Sequence, residues 1–214
     1  MDDSYGRVAR IYDLLAESYS LGAIRRTKRA HLASLQPNQR VLYAGAGTCQ
    51  EAQGALAIGA DITLVDTAEE MLERARQRLG ADAKRIGFRT QSVFDLPRVR
   101  LYDHVIAPFF LNVFAATEVA GRLDQLVQLV RPGGSITIAD FRGPQSGALG
   151  ALQRLYYQPP LWLFHLLTHT PLHPLYDYRT VAAHCQSKLQ ETHRSVHRVL
   201  GLPLFESLTF RVEG

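Results

Sequence analysis

One acid and a pair of glycines stand at a spacing that chemistry can use. Gly45-Ala46-Gly47 follows the apolar run Val41-Leu42-Tyr43-Ala44, and the stretch after it favours helix. Glycines in such a turn let the backbone approach a ligand closely. A second apolar run, Asp61-Ile62-Thr63-Leu64-Val65-Asp66, ends in an acid that can accept hydrogen bonds from a ribose diol. The two features together describe a site for an adenosine-containing cofactor.

A dinucleotide fingerprint would need a third glycine at position 50, which is Gln50. That glycine lets a helix start against a pyrophosphate. Its absence argues for a cofactor without phosphates. S-adenosylmethionine fits: it carries an adenosine and an amino-acid arm, with no phosphate for a helix N-terminus to hold.

The elements that must position these residues alternate along the chain. Strands are expected at about 40–44, 61–66, 86–93, 101–107 and 134–140, with helices between them at about 50–58, 68–79 and 118–130. Residues 5–35 read as two helices with Ser4 as N-cap. Pro132-Gly133-Gly134 is a turn signal before the fifth strand. Repeated βαβ units imply a mainly parallel sheet with helices on both faces. Two strand-like runs, Gln190 to Leu200 and Leu204 to Val212, flank Gly201-Leu202-Pro203 and suit a closing antiparallel hairpin. The fold class is therefore α/β: a Rossmann-like, seven-stranded sheet. One domain is expected over 1–214, with a helical cap at 1–36, a cofactor-binding core at 37–142, a helical lid or substrate segment at 143–188 and the hairpin at 189–214.

At this point the chain resembles the class I S-adenosylmethionine-dependent methyltransferases, and is most similar to the ubiquinone/menaquinone-biosynthesis C-methyltransferase group. The resemblance rests on Arg7-Val8-Ala9 with Tyr12-Asp13-Leu14-Leu15, Ser20-Leu21-Gly22 with Arg25, and Val41 to Thr48. It continues through Val65-Asp66 with Met71-Leu72, Val130-Arg131-Pro132-Gly133-Gly134 and Asp140-Phe141, and fades beyond about residue 145. It implies a cofactor site made of Tyr43, Gly45, Ala46 and Gly47 in the loop, Asp66 and Thr67 at the ribose, and Met71 over the adenine. Phe94, Asp95 and Pro108 would complete it, Asp95 receiving the adenine amino group, with Tyr12 and Tyr19 closing from the N-terminal segment. The family usually has an acid where this chain has Tyr43, and often a glycine where it has Cys49. Tyr43 can stand in for the acid through its hydroxyl or serve as strand packing. Cys49 is a reactive thiol near a helix N-terminus or a small residue tolerated in a turn.

Methyl transfer is an in-line displacement at a sulfonium carbon, so the enzyme mainly needs alignment and a dry pocket. A base is required where the nucleophile must first lose a proton. Asp140, ending the fifth strand, is the candidate by position, and its rival role is to cap the Arg142-Gly143-Pro144 turn. Enzymes that methylate a nucleobase amine usually show Asn or Asp before Pro, Pro and an aromatic residue. Here the run is Ala107-Pro108-Phe109-Phe110, so base-amine methylation is not expected. Asn112, just beyond, can reach a substrate or cap a helix. Residues 151–178 are rich in aromatic side chains and suit a roof over a hydrophobic substrate, with His165 or Tyr176 as base or orienting group, or else a pair of amphipathic core helices. His165, His169 and His173 recur at spacing four, but Pro171 and Pro174 break that helix and no acid joins them. No metal is expected.

Composition sets limits. The net charge is +4 over 214 residues, and Arg25-Arg26 with Lys28-Arg29 is the basic cluster; it reads as a solvated helix face. No nucleic-acid partner is expected, while a peripheral membrane contact stays open. Two distant cysteines and a polar N-terminus suit a cytoplasmic protein. The apolar run Leu161 to Leu167 is far shorter than the roughly 20 residues that cross a bilayer. The function expected is methyl transfer to a small hydrophobic or aromatic acceptor (quinone-like, a lipid headgroup or a secondary metabolite), by a monomer or homodimer. Two alternatives remain: transfer or cyclisation of the cofactor's amino-acid arm, and a scaffold that binds without turnover.

Overall fold

The computed structural model describes residues 19–168 and 175–213, without the side chains of 159–168. After α1 (Ala23–Arg29) and a 3-10 turn, the chain runs β1 (Arg40–Ala44), α2 (Ala52–Ile58), β2 (Asp61–Asp66), α3 (Glu69–Leu79) and β3 (Ile86–Thr90). Then come β4 (Tyr102–Pro108), α4 (Val119–Val127), β5 (Val130–Phe141), α5 (Gly147–Thr168), α6 (Tyr178–Ala183), β6 (Leu189–Val199) and β7 (Leu202–Val212). The seven strands lie in the order β3-β2-β1-β4-β5-β7-β6. All neighbours are parallel except β7, which runs antiparallel to both β5 and β6.

Strand alternation splits the apolar residues between two cores. Val41 and Tyr43 of β1, with Ile62 and Leu64 of β2, face one layer; Leu42, Ala44 and Val65 face the other. On the first face α2 and α3 contribute Ala52, Ala55, Leu56, Leu72, Ala75 and Leu79. The 3.6-residue period puts Val119, Leu123 and Leu126 of α4 on one stripe, and these close the other face with Val181 of α6. The sheet is therefore covered on both sides, as a parallel sheet requires.

The turn expected at Pro132-Gly133-Gly134 lies inside β5, which starts at Val130. Tyr102 pairs with Val130 and His104 with Ser135, so the segment between bulges out of the ladder and the strand continues. β3 is shorter than expected, because Val93–Asp95 folds into a 3-10 turn that the Ser92 hydroxyl caps. The N-cap expected at Ser4 lies outside the described residues. No helix among the described residues is long and apolar enough to cross a membrane.

Candidate functional site

Strand order reverses between β1 and β4, and in open α/β sheets ligands bind outside the carboxyl ends of the strands at that point. The loop after β1 meets the end of β2 there. Asp66 Oδ2 accepts from the Gly47 N–H at 2.7 Å and Oδ1 from the Ala68 N–H at 2.9 Å. A further bond, Ala46 N–H to the Val65 carbonyl at 3.0 Å, fixes the loop against β2. Gly47 has φ of +54°, and a Cβ there would meet no atom of the described residues within 4 Å, so the backbone borders open space among them. The result is a cradle: a partly exposed carboxylate held by backbone donors beside an unfilled glycine.

Aromatic rings form the next wall. Phe94, after β3, stacks on Phe110, after β4, with centroids 5.9 Å apart, and Phe114 meets both edge-on. The Arg122 guanidinium of α4 lies 4.7 Å from the Phe94 centroid and 5.3 Å from that of Phe114, backing the group with a cation. Phe110 explains Gly45: a Cβ at that position would stand 2.2 Å from Phe110 Cδ2. Phe109 adopts φ of +52°, an uncommon conformation for a bulky residue, with its N–H bonded to the Ala139 carbonyl at 2.7 Å. The twist sends Phe109 toward Phe141 and Phe205 while Phe110 covers the glycine loop.

Asp140 ends the buried part of β5. It is fully buried and receives three donors: Asn112 Nδ2 at 2.8 Å and the Phe141 N–H at 2.7 Å on Oδ1, and the Tyr178 hydroxyl at 2.7 Å on Oδ2. Burial raises its pKa to about 7, and these donors pull against that rise. The carboxylate thus joins the turn after β4 to α6, and the expected cap of the Arg142 turn is not what it does. Tyr176 donates to the Phe114 carbonyl at 2.6 Å and packs edge-on against Tyr178. Two tyrosines therefore hold the segment before and at α6 against the aromatic wall.

Other expected residues fall as follows. Thr67 and Asp95 are exposed at the rim, Met71 is half-buried on the first turn of α3, and Pro108 is buried at the end of β4. The Tyr19 hydroxyl donates to the Tyr156 carbonyl, and the two rings are 4.4 Å apart, which ties the N-terminal segment to α5. Tyr43 is completely buried and its hydroxyl is hydrogen-bonded to His31 Nε2 at 2.8 Å. Its hydroxyl is thereby spent inside the layer of β1, α2 and the 3-10 turn that carries His31, and the packing role describes it. The reactive-thiol reading of Cys49 does not hold. Cys49 is 3% exposed, and burial first, then the nearby Glu51, push its thiol well above the ordinary value. The loop nonetheless keeps a left-handed turn at Cys49, with φ of +34°. Tyr12 lies outside the described residues, as do the side chain of His165 within α5, and His169 and His173. Two residues that matter at this rim were passed over in the sequence: Tyr178, whose tie to Asp140 crosses 38 positions, and Glu51, an acid one step past the loop.

The cradle and the aromatic wall fit an adenosine. Comparison with known proteins agrees. A methyltransferase-domain family matches residues 41–134. The chain is 31% identical over 164 residues to the demethylmenaquinone methyltransferase of Thermus thermophilus, covering 72% of this chain and 71% of that one. It is 31% identical over 163 residues to the enzyme of the same name from Deinococcus radiodurans, covering 74% and 67%. Among solved structures, magnesium protoporphyrin IX methyltransferase of Synechocystis PCC 6803, with bound S-adenosylhomocysteine, superposes with a TM-score of 0.69 at 17% identity, covering 93% of this chain and 87% of that one.

Proposed function

The chain belongs to the class I S-adenosylmethionine-dependent methyltransferases, and on that footing we propose that it methylates an apolar aromatic acceptor, a quinol-like ring. The observation that carries the choice of acceptor is the wall of Phe94, Phe110 and Phe114 beside the cradle. Flat rings stack well on such a wall. The relatives named demethylmenaquinone methyltransferase favour the same class.

Held in the cradle, S-adenosylmethionine would supply an electrophilic methyl group with a good leaving group already in place. The chain's residues supply position and dryness. Asp66, held by Gly47 and Ala68, is the receiver for the ribose hydroxyls. Phe94 and Phe110 shape the adenine and acceptor faces and exclude water. Asp140 acts as a positioning residue: unlike the partly exposed Asp66 it is fully buried, with three donors on its two oxygens, and it fixes Asn112 and Tyr178 around the pocket.

The test is incubation of the purified protein with S-adenosylmethionine and a reduced naphthoquinone lacking its ring methyl, with both products identified. S-adenosylhomocysteine and a ring-methylated quinol in equal amounts support the reading. Methylthioadenosine would point to transfer of the amino-acid arm instead. Tight cofactor binding with no product from any quinol would remove this acceptor class. In Asp140→Asn a positioning role predicts a lower kcat with an unshifted pH profile, whereas a proton-accepting role would remove an ionisation near pH 7.

A further inference from the structure

Glu51 begins where the glycine loop gives way to α2, and its side chain is 1% exposed. Among the described residues its Oε1 has no hydrogen-bond partner. Buried polar atoms are almost always partnered, and an orphaned carboxylate oxygen is among the more costly exceptions. Around it stand the Cys49 thiol and the Tyr43 hydroxyl, with Lys28, Arg29 and Arg78 within electrostatic reach. Two of these cations have other contacts. Arg78 donates to the Thr48 carbonyl at 3.1 Å, and the Lys28 ammonium lies 5.6 Å from the centre of the Phe109 ring. That contact sets Lys28 against the turn after β4, across from the loop after β1.

The same loop lacks the acid that the resemblance expects at the end of β1, since Tyr43 stands there and turns its hydroxyl to His31. We infer that Glu51 replaces it: its carboxylate receives the α-ammonium of the cofactor's amino-acid arm, and Lys28 faces the α-carboxylate. The inference rests on the cofactor reading above and adds to it the residues that hold the arm. A zwitterion satisfies both groups at once. Its ammonium gives Oε1 the donor that the protein withholds, and its carboxylate offsets the Lys28 charge beside an apolar ring. The desolvation already imposed on Glu51 is what makes the bond selective, because a ligand without the ammonium leaves the oxygen orphaned.

Calorimetric titration tests this with ligands that differ in the arm alone. S-adenosylhomocysteine carries the full arm, its desamino analogue lacks the ammonium, and methylthioadenosine lacks both charges. Wild-type protein should bind S-adenosylhomocysteine about tenfold or more tightly than the desamino analogue. Glu51→Gln should bind S-adenosylhomocysteine about tenfold or more weakly and methylthioadenosine unchanged; Lys28→Met should show the same contrast. Glu51→Gln that keeps its affinity for S-adenosylhomocysteine overturns the assignment and leaves the cofactor reading intact. Wild-type protein that binds none of the three ligands overturns both. Where Glu51→Gln does not fold, the wild-type comparison decides: equal affinity for S-adenosylhomocysteine and its desamino analogue rejects the role of Glu51.

Discussion

Replacing Asp140 with asparagine should remove one limb of the pH dependence of stability. Its carboxyl has a pKa of about 7 in the fold against an ordinary value of 3.8, with burial the largest cause. The native state therefore holds this proton more tightly than the unfolded chain does. The contribution is fully present below about pH 3.8 and is lost as pH rises through about 7. At 1.36 kcal/mol per pK unit, the whole effect is roughly 4 kcal/mol, and roughly 3 kcal/mol of it falls between pH 5 and pH 9. Asparagine keeps one acceptor oxygen and turns an amide toward a donor, which adds an offset that does not vary with pH. Denaturant unfolding of both proteins at each pH unit from 5 to 9 separates the two parts. The stability difference between asparagine variant and wild type should move by about 3 kcal/mol in favour of the variant across that range. A difference that stays constant would refute the claim that the buried carboxyl holds its proton in the native state.

Acid should act on a pair of buried histidines. Burial lowers the pKa of His31 to about 3 and that of His104 to about 4, from 6.5, and the two rings lie 6.4 Å apart. Here the unfolded chain takes up protons first, so stability is present above pH 6.5 and lost as pH falls. The loss should approach roughly 2.7 kcal/mol per pH unit in the Asp140→Asn protein, and about half that in wild type, where Asp140 opposes it; urea titrations at pH 4.5 to 6 measure both. Asp66→Ala removes the oxygens that hold Gly47 and Ala68 and should weaken S-adenosylmethionine binding about a hundredfold or more, and unchanged calorimetric affinity would displace the ribose assignment. Gly45→Ala drives a methyl into Phe110 at φ of +61° and should cost about 2 kcal/mol or more, while Gly47→Ala, facing open space, should cost about 1 kcal/mol; equal losses in thermal melts would contradict the Phe110 contact.

Much of this architecture was legible in the residues, because alternation in β1 and β2 and the spacing of Val119, Leu123 and Leu126 are local patterns with one physical solution each. The Gly45 to Asp66 pair was legible for the same reason: turn, strand and acid are neighbours in the chain. What escaped was set by contacts between distant residues. Pro132-Gly133-Gly134 has the composition of a turn, yet pairing with β4 on one side carries β5 through it. Tyr43 reads as a vacancy in the cofactor's grip until His31, 12 positions earlier, is found to claim its hydroxyl. Glu51 is an unremarked acid in the sequence, and burial alone marks it out. Asp140 reads as a free strand-end acid until α6 brings Tyr178 back to it.

The place of β7 has a consequence for the order of assembly. It follows β6 in the chain but lies inside it in the sheet, so β5 keeps a bare edge until Phe205 arrives to pair with Phe141, roughly sixty positions later. During synthesis the cradle between β1 and β2 can form while the acceptor side is still open. The final strand then brings the Leu204 carbonyl to the Tyr157 hydroxyl and Glu206 to Arg142 and Arg194, locking α5 and β6 in one step. A nascent chain halted before β7 would present β5 as a long unpaired edge, the surface on which two such chains would join.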